Sequence, residues 1–400
     1  MLGSTIEGDT VAIQRVQRSS THYFQRPDAE HLRYEPARTS LAGLAADLRF
    51  SKMAGGHWRW GFGTHTVSPG FEVNDLGFLR EADFTSQYTF LGYDQFQPGK
   101  LFRRWNLFTN QWNAWSYGGE HVSVGGNING SWELVNFWGG WGGINREFDR
   151  LVPEALRGGP ALVVPARTEM FLGVYSDSRK PVRLELEGSA SFEDETGGRS
   201  LRFGPELELR LADGAEISLE PSLSSRRDPW QYIGQRSAGG ETHYIFGGLR
   251  QTTASLSARA SYTFSPTLSL QLYAQPFISA GRYADFREVE DPRAQRFEQR
   301  FHTYAPSELS YDAAANRYNV SRDGASYGFD NPAFNFKQFR SNLVLRWEYR
   351  PGSTLFLVWS QGRTRARDHG SFDLGRDLED LFEAESTNVL LIKASYWLDF

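Results

Sequence analysis

The chain has 400 residues, no cysteine and a formal net charge of -5, with 43 basic and 48 acidic side chains. Its 12 Trp, 17 Tyr and 29 Phe provide ample apolar surface to bury, which excludes a disordered chain. The interspersed charges argue against nucleic acid as a partner. The absence of Cys excludes disulfide scaffolds, thiolate metal sites and cysteine nucleophiles.

Neither a secretory signal nor a helical membrane span is predicted from the sequence. Residues 1–4 have no basic start and no apolar run behind them, so we expect an exported protein to be a mature or truncated chain here. The longest uncharged stretch, residues 260–281, contains Pro266 and Pro276 and alternates every second residue. It therefore predicts two strands rather than a spanning helix.

Alternation of apolar and polar side chains predicts strands along most of the chain. In residues 255–264, for example, Leu256, Tyr262 and Phe264 share one face while Arg259 lies on the other. The pattern predicts about 16 strands. In chain order they cover residues 9–17, 39–50, 57–67, 84–94, 101–116, 121–128, 131–141, 167–176, 182–192, 200–211, 215–225, 242–264, 267–278, 339–349, 353–362 and 387–400.

The strand count depends on Asn129-Gly130. As a two-residue hairpin turn, this pair separates strands 121–128 and 131–141, which makes the count even and puts both chain ends on one side. The alternation also runs through the pair from Val122 to Leu134, which fits one unbroken strand and an odd count. The sequence leaves both readings open.

The connections between the predicted strands alternate in length. Short turns at residues 178–181, 212–214, 265–266 and 351–352 alternate with long polar segments at residues 145–167, 224–241, 279–338 and 361–387. Outer-membrane β-barrels have this arrangement, with tight periplasmic turns and long external loops. Aromatic residues that would suit an interfacial girdle stand near strand ends, namely Tyr262, Phe264, Trp347, Tyr349 and Trp359.

The end of the chain favours the same interpretation. Tyr396, Leu398 and Phe400 alternate on one face of the last predicted strand, and this ending looks like the assembly signal that the barrel-assembly machinery reads. The expected fold is all-β, an antiparallel transmembrane outer-membrane β-barrel of about 16 strands. It forms one domain over residues 1–400, and part of a larger barrel if strands precede it. A soluble β-sandwich or propeller has the same alternation and is the alternative.

Several segments resemble a known bacterial family. They cover residues 18–21, 23–28, 68–78, 157–160, 176–181 and 346–353, with the sequences RSST, YFQRPD, SPGFEVNDLGF, RGGP, SDSRKP and RWEYRPGS. Over nearly its whole length the chain is similar to the C-terminal part of the uncharacterised family with domain of unknown function 5916. In that family a secretory signal and a carbohydrate-binding family 9 type module precede a large barrel.

The resemblance implies a barrel in the outer membrane of a Gram-negative cell, and no established reaction. It also implies that the signal, the sugar-binding module and some first strands are missing from this chain. A partial barrel would leave two unpaired strand edges in lipid, so we expect such a fragment not to insert stably alone.

The connection at residues 69–83 is the strongest candidate for a specific site. Its charged side chains Glu72, Asp75, Arg80 and Asp83 are too polar to be buried without partners. We hypothesise that it folds into the barrel mouth and lines or gates a polar path together with Arg103, Arg104, Arg146 and Arg157. The alternative is a loop that ion pairs hold for stability alone.

Other candidate residues have plainer alternatives. Trp132, Trp138 and Trp141 would suit a sugar-stacking platform, although girdle or wall aromatics explain them equally well. His57 and His65 are expected to fill a polar lumen. The acidic clusters at residues 285–291 and 377–385 lack the order of a calcium loop, so they are expected to be solvated loop charge. We predict no metal, no cofactor and no catalytic constellation.

The expected function is a porin-like or transporter-like outer-membrane channel that takes up or captures a solute, with a saccharide-derived solute favoured if a sugar-binding module belongs upstream. Its expected partners are outer-membrane lipid, the barrel-assembly machinery and that solute, and not nucleic acid. The alternative is a secreted soluble β-sandwich that binds or hydrolyses carbohydrate. A third reading is a structural or secretion-associated barrel without a small ligand.

Overall fold

The computed structural model describes residues 1–211 and 214–398. Antiparallel strands dominate this part of the chain, and none of its helices is long and apolar enough to cross a membrane. In chain order the elements are β1 (Leu2–Glu7), α1 (Thr10–Gln17), β2 (Ser40–Lys52), β3 (Trp58–Val67), β4 (Phe84–Gln95), β5 (Phe102–Ser116), β6 (His121–Leu134), β7 (Gly139–Glu147), β8 (Arg150–Val152), β9 (Leu162–Val164), β10 (Arg167–Tyr175), β11 (Val182–Glu193), β12 (Arg199–Leu211), β13 (Ala215–Ala238), β14 (Glu241–Ser265), β15 (Leu268–Val289), α2 (Phe297–Arg300), β16 (Phe301–Thr303), β17 (Leu309–Asp312), β18 (Arg317–Arg322), β19 (Ala325–Asp330), β20 (Phe334–Arg350), β21 (Ser353–Arg367), α3 (Leu374–Glu383) and β22 (Ser386–Ser395).

One sheet of 17 strands contains most of these elements. Its strands pair in chain order from β1 to β7, then from β10 to β15, and then from β20 to β22, with the short β16 beside the end of β15. Two smaller sheets, β8–β9 and β17–β19, lie in connections. In the part of the chain that the structure describes, β1 pairs only with β2 and β22 only with β21, so these two strands are the sheet's edges.

The two ends of the sheet differ in their connections, as the sequence predicts. At the short-turn end, strands are joined by residues 53–57, 96–101, 135–138, 176–181, 266–267 and 351–352. At the long-loop end they are joined or preceded by residues 8–39, 68–83, 148–166, 290–333 and 368–385. One predicted long segment is wrong, because residues 224–241 extend β13 into a hairpin with β14. Gly239 and Gly240 turn this hairpin with φ of 61° and 85°, which only glycine adopts readily.

The first predicted strand, residues 9–17, is instead helix α1. The Asp9 carboxylate accepts a hydrogen bond of 2.7 Å from the Ala12 amide, which makes Asp9 the N-cap of the helix. Ile13 and Gln17, four residues apart, are buried on one face. Alternation over nine residues is compatible with a strand or with a helix. The N-cap at Asp9 and the four-residue spacing of the buried side chains favour the helix.

Of the two readings of Asn129-Gly130, the hairpin turn is wrong and the unbroken strand is confirmed, because β6 continues from His121 to Leu134. Gly130 is required for close approach, since a Cβ there would lie 2.5 Å from the carbonyl oxygen of Asn106 on β5. The turn comes at residues 135–138, where Phe137 has φ of 67°. The sequence also missed β1 and merged part of β7 with β6, so the 16 predicted strands correspond only in part to those observed.

One face of the large sheet is apolar and exposed, and we call it the apolar face. Strand register places one apolar residue from each of seven neighbouring strands in a single row: Leu209, Ile217, Ala260, Leu272, Leu343, Trp359 and Leu390. The face continues through the first half of the sheet, where Leu48 is 63% and Phe50 67% exposed. Exposed apolar surface on this scale indicates contact with a membrane or another protein.

The buried apolar clusters lie mainly at the long-loop end rather than between two layers of sheet. The first joins Leu156, Leu162 and Val164 of the 148–166 connection to Phe246 and Phe301. Another contains Phe24, Ala29 and Leu32 from the segment after α1. The long connections therefore pack against one another and hold the strand ends together.

Candidate functional site

The face opposite the apolar face carries a series of aromatic rings laid over glycines, and we call it the second face. Phe90 covers Gly61 on the neighbouring strand, where a Cβ would lie 2.3 Å from the ring. The same arrangement pairs Trp141 with Gly173. The rings of this aromatic ladder belong to Tyr88, Phe90, Phe108, Trp112, Trp141, Phe171 and Tyr175, each directly opposite a glycine.

Amide side chains lie on the second face between these rings. Asn106 donates to Ser131 at 2.7 Å, and Asn129 donates to Asn127 at 2.9 Å. Asn127 stands opposite Asn145 in the register of β6 and β7. This half of the face therefore offers flat apolar rings next to hydrogen-bond donors and acceptors.

From β11 onward the second face carries charged pairs in place of the ladder. The guanidinium of Arg183 lies 3.2 Å from Glu208, and that of Arg210 lies 3.4 Å from Glu216. A cavity of about 500 Å³ opens here, and its walls include Arg259, Gln271, Tyr273 and Asn342 as well as these glutamates. Ionic and polar groups therefore define this half.

A further cavity, of about 340 Å³, lies at the long-loop end, and we call it the loop cavity. Three connections form its walls: residues 20–26, residues 80–84 and residues 153–154, with Val122 of β6. Hydrogen bonds of two histidines hold these connections together. His22 hydrogen-bonds the Pro69 carbonyl and the Glu72 carboxylate, both at 2.9 Å, and His31 binds Asp83 at 2.8 Å.

The carboxyl groups around the loop cavity have perturbed pKa values. Desolvation raises the pKa of Glu81 to about 7, with repulsion from Glu154 and Asp83 adding to the effect. Its side chain still reaches solvent within the concave wall. Burial also raises the pKa of Asp83, against the opposing effect of His31. Near neutral pH, Glu81 can therefore act as a hydrogen-bond donor or as an acceptor.

Backbone strain accumulates at the same place. Tyr23, Asp83 and Arg157 adopt left-handed conformations with φ of 47°, 64° and 49°. Such conformations cost of the order of 1 kcal/mol or more for bulky residues and concentrate at functional sites. Buried polar atoms without a partner in the described chain, Arg26 Nε and Gln25 Oε1, lie in the same segment. These features mark the loop cavity as a candidate binding site.

The structure brings together part of the predicted mouth. Glu72 and Asp83 fasten the 68–83 connection, and Arg80 lines the loop cavity. Asp75 is exposed on the same connection. Arg157 lies near the cavity, with its guanidinium 4.4 Å from the centre of the Tyr232 ring. Glu72 and Asp83 therefore have hydrogen-bond partners within the connections, in His22 and His31.

Two predicted mouth arginines lie at the opposite end of the sheet, and a third, Arg146, lies at the long-loop end but on the apolar face. Arg103 and Arg104 both bind Glu133 at the short-turn end, with Arg104 Nε 2.9 Å from the carboxylate. That position is about 40 Å from the loop cavity along β5, at ~3.3 Å per residue. Arg146 donates to Thr168 at 2.8 Å and pairs with Asp194. The predicted grouping of all eight residues is therefore wrong, because alternation carries no information about which strand end a residue occupies.

The predicted tryptophan platform is divided between the two faces. Trp132 stands opposite Gly140 whereas its neighbour Ser131 stands opposite Trp141, so Trp132 and Trp141 point to opposite sides of the sheet. Trp138 lies in a turn and is exposed. Only Trp141 belongs to the aromatic ladder. The other ladder rings were missed, although glycine at every second position in β3, at Gly61 and Gly63, was a usable signal.

Three remaining predictions have definite outcomes or positions. Tyr396 and Leu398 are exposed beyond the end of β22, and Phe400 lies outside the described residues. The acidic clusters are solvated in part, since Asp285 and Glu379 are exposed. One member of each is buried and paired: Glu288 accepts a hydrogen bond from His243 at 2.9 Å, and Asp377 lies 3.3 Å from Lys337. His65 lies 3.7 Å from Asp47 on the second face. Within residues 1–211 and 214–398 no group of three or more His, Asp or Glu side chains is placed to hold a metal ion.

Comparison with known proteins places the chain in a family. No curated protein matches it. A family described as a domain of unknown function, DUF5916, matches residues 10–400, which includes the loop cavity and every strand of the large sheet except β1. The chain therefore belongs to the DUF5916 family.

Proposed function

We propose that the chain forms the wall of an outer-membrane β-barrel and lines a path for a polar, saccharide-derived solute. The observation that carries the proposal is the pairing of an exposed apolar face with a second face of aromatic, amide and charged side chains on one continuous antiparallel sheet. Membrane-spanning barrels present such an apolar face to lipid and such a polar face to their lumen.

The energetics of the apolar face support a membrane rather than water as its surroundings. Burying one Leu, Phe or Met side chain gains about 1.5–3 kcal/mol. Dozens of such side chains are exposed on the strands, among them Leu107, Ile144 and Met170. A soluble β-sandwich would cover this face with a second sheet, whereas the buried clusters here lie at the long-loop end.

The contacts of Arg293 support a curved sheet. Its guanidinium lies 2.6 Å from Glu120, which is in the turn between β5 and β6, and 2.6 Å from Asp28. Seven strand steps separate β6 from β15, which would span about 34 Å in a flat sheet at ~4.8 Å per step. Arg293 is four residues beyond Val289, the end of β15, and reaches only about 13 Å by backbone. The sheet therefore curves between these strands, as the wall of a barrel does.

The edges β1 and β22 need partners within a membrane, because unpaired backbone groups are too costly in lipid. Pairing between these edges, or with further strands, would complete the barrel. The proposal therefore concerns the path that this chain lines and not the number of strands in the complete barrel.

The aromatic ladder supports a saccharide as the solute. Aromatic rings in series over glycines suit the apolar faces of pyranose rings, and the neighbouring amides of Asn106, Asn127 and Asn129 suit hydroxyl groups. A purely structural barrel would not require flat rings in series.

The test uses protein refolded in detergent and shown to be folded by circular dichroism and heat-modifiable gel migration. Single channels are recorded in a planar bilayer while linear glucose oligosaccharides are added. We expect the sugars to interrupt the current, and the pair Trp112→Ala with Trp141→Ala to weaken this block about tenfold, equivalent to about 1.4 kcal/mol. The matched control is Trp359→Ala on the apolar face, which should leave the block unchanged.

Two outcomes would contradict the proposal. A chain that is folded and monomeric in water without detergent would not be a membrane barrel. A folded barrel whose current no oligosaccharide alters, or whose block Trp359→Ala weakens as much as the ladder pair does, would not use the ladder for sugars.

A further inference from the structure

A row of four arginines crosses the apolar face near the long-loop end. Register places Arg199 of β12 opposite Arg227 of β13, Arg227 opposite Arg250 of β14, and Arg250 opposite Arg282 of β15. All four side chains are exposed. The apolar residues of this face end near Leu201, Ser225, Thr252 and Ala280. Each arginine stands two positions further along its strand.

No carboxylate in the described part of the chain lies within ion-pair distance of these arginines. Their neighbour Arg226, on the second face, binds Asp228, but no ion pair within residues 1–211 and 214–398 involves the four. Like charges directly opposite each other on neighbouring strands destabilise a sheet. A row of four such charges, spanning about 14 Å at ~4.8 Å per strand, therefore calls for an anion with more than one negative group.

A cavity of about 670 Å³ adjoins the row. Arg227, Arg250 and Arg282 line it together with the rings of Phe297 and Phe301. Four carboxylates share the lining: Glu195, Asp228, Asp285 and Glu298. None of these approaches the three arginines closely enough for an ion pair, so the guanidinium groups remain available.

An apolar groove of about 460 Å³ lies on the same face toward the short-turn end. Phe203, Leu223, Ala254 and Ile278 line it, and each is four residues from the corresponding arginine, about 13 Å along the strand. Pro205, Pro221 and Pro276 also line it. Proline has no amide hydrogen to donate to a neighbouring strand. The pairing of β12 with β13 is therefore interrupted at Pro205 and Pro221, and this interruption opens the face locally.

Helix α3 forms one wall of this groove through Leu374 and Leu378. The helix is held against the sheet by Lys337, whose Nζ lies 2.6 Å from Asp380 and 3.3 Å from Asp377. Lys337 stands opposite Ile278 and so belongs to the apolar face. An unpaired lysine would be costly at that position in lipid, and α3 removes this cost by supplying two carboxylates.

We infer that the arginine row and the groove form a binding site for a membrane lipid with a phosphorylated sugar head group, of the lipid A type. The phosphates contact the guanidinium groups, which bind phosphate through paired N–H donors, and an acyl chain occupies the groove. The long loops of outer-membrane barrels face outward, so the row lies at the level of the outer leaflet's head groups. This inference rests on the proposed membrane barrel.

The test measures binding of diphosphorylated lipid A to the detergent-refolded full chain by native mass spectrometry. We expect Arg227→Gln with Arg250→Gln to weaken binding at least about tenfold, because charge-assisted hydrogen bonds are lost. Arg259→Gln, on the second face, is the matched control and should bind as the parent does. Leu374→Asn, at the exposed groove wall, should weaken binding of the lipid but not of inorganic phosphate.

Equal binding by the parent and the double variant would overturn the inference. So would equal affinity for lipid A with and without its phosphates, or displacement of the lipid by inorganic phosphate at the same concentration, which would indicate a simple anion site. A protein that refolds in detergent with heat-modifiable migration but fails these tests loses only the lipid site. A chain that folds only in water loses the barrel proposal as well.

Discussion

Strands β3–β10 and strands β11–β20 fill the second face of one sheet by different means. The first half sets aromatic rings over glycines, so that the ring occupies the space of the missing side chain, as Trp141 does over Gly173. The second half sets arginines among glutamates, as Arg183 does between Glu185 and Glu208. The rings over glycines provide apolar contact without a charged group that must be desolvated. The arginines among glutamates provide an electrostatic field. The two halves of the second face therefore differ in the kind of contact that their side chains can make.

The largest expected effect breaks the ladder. A Cβ at Gly173 would lie 2.3 Å from the Trp141 ring, so Gly173→Ala must displace the ring. We expect the free energy of unfolding to fall by about 1–3 kcal/mol, the usual range for overpacking. Gly188→Ala is the control, because a Cβ there meets only the Arg202 carbonyl oxygen at 3.4 Å. Urea titration of both refolded variants measures the difference, and equal loss would show that the ladder is not tightly packed.

A smaller effect should follow in the charged half. Glu208 binds Arg183 at 3.2 Å and also pairs with Arg210, so Glu208→Gln leaves two cations with weaker partners. We expect a loss of about 1 kcal/mol in the free energy of unfolding, since the pairs are partly exposed. The channel current should shift toward anions, because one negative charge leaves the wall. Glu241→Gln, on the outer hairpin, should change neither. Reversal potentials in a salt gradient provide the measurement.

The smallest effect concerns the loop cavity, which lies at the long-loop end beside the first half. Desolvation, with Glu154 and Asp83 nearby, raises the pKa of Glu81 to about 7, so the folded protein holds this proton more tightly than the unfolded chain does. The protonated form therefore stabilises the fold at low pH, and this stability is lost as pH rises from the ordinary glutamate pKa through about 7. We expect the melting temperature to fall between pH 5 and pH 7.5, and Glu81→Gln to flatten that change.

The control for the pH experiment is Glu30→Gln, an exposed carboxyl in the segment after α1. It should leave the pH dependence as it is in the parent protein. If Glu81→Gln also leaves it unchanged, the dependence arises from other groups and the loop cavity does not hold a neutral carboxyl.

Period-two alternation predicted most strands because it depends only on which face each residue occupies. Leu343, Leu345 and Trp347 are on the apolar face, as their spacing indicates. The alternation of short turns and long segments likewise predicted the two unequal ends of the sheet. Both features are local, so a single sequence contains them.

The errors arose where long-range contacts decide. Gly130 resembles a turn residue in sequence, and only the Asn106 carbonyl on the neighbouring strand explains it. Arg104 and Arg80 look equivalent as exposed cations, yet Glu133 holds the first at the opposite end of the sheet. The arginine row could not be predicted for the same reason, because Arg199 and Arg282 come into one row only through the register of four strands.

The hairpin of β13 and β14 has a practical consequence. Its strands of 24 and 25 residues extend well past β12, and a Cβ at Gly240 would have no atom within 4 Å. Glu288, which binds His243 at 2.9 Å and also Arg322, fixes the hairpin below its tip. A peptide inserted between Gly239 and Gly240 would interrupt no strand pairing. The tip is therefore a natural site for an inserted epitope that an antibody can reach in the folded protein.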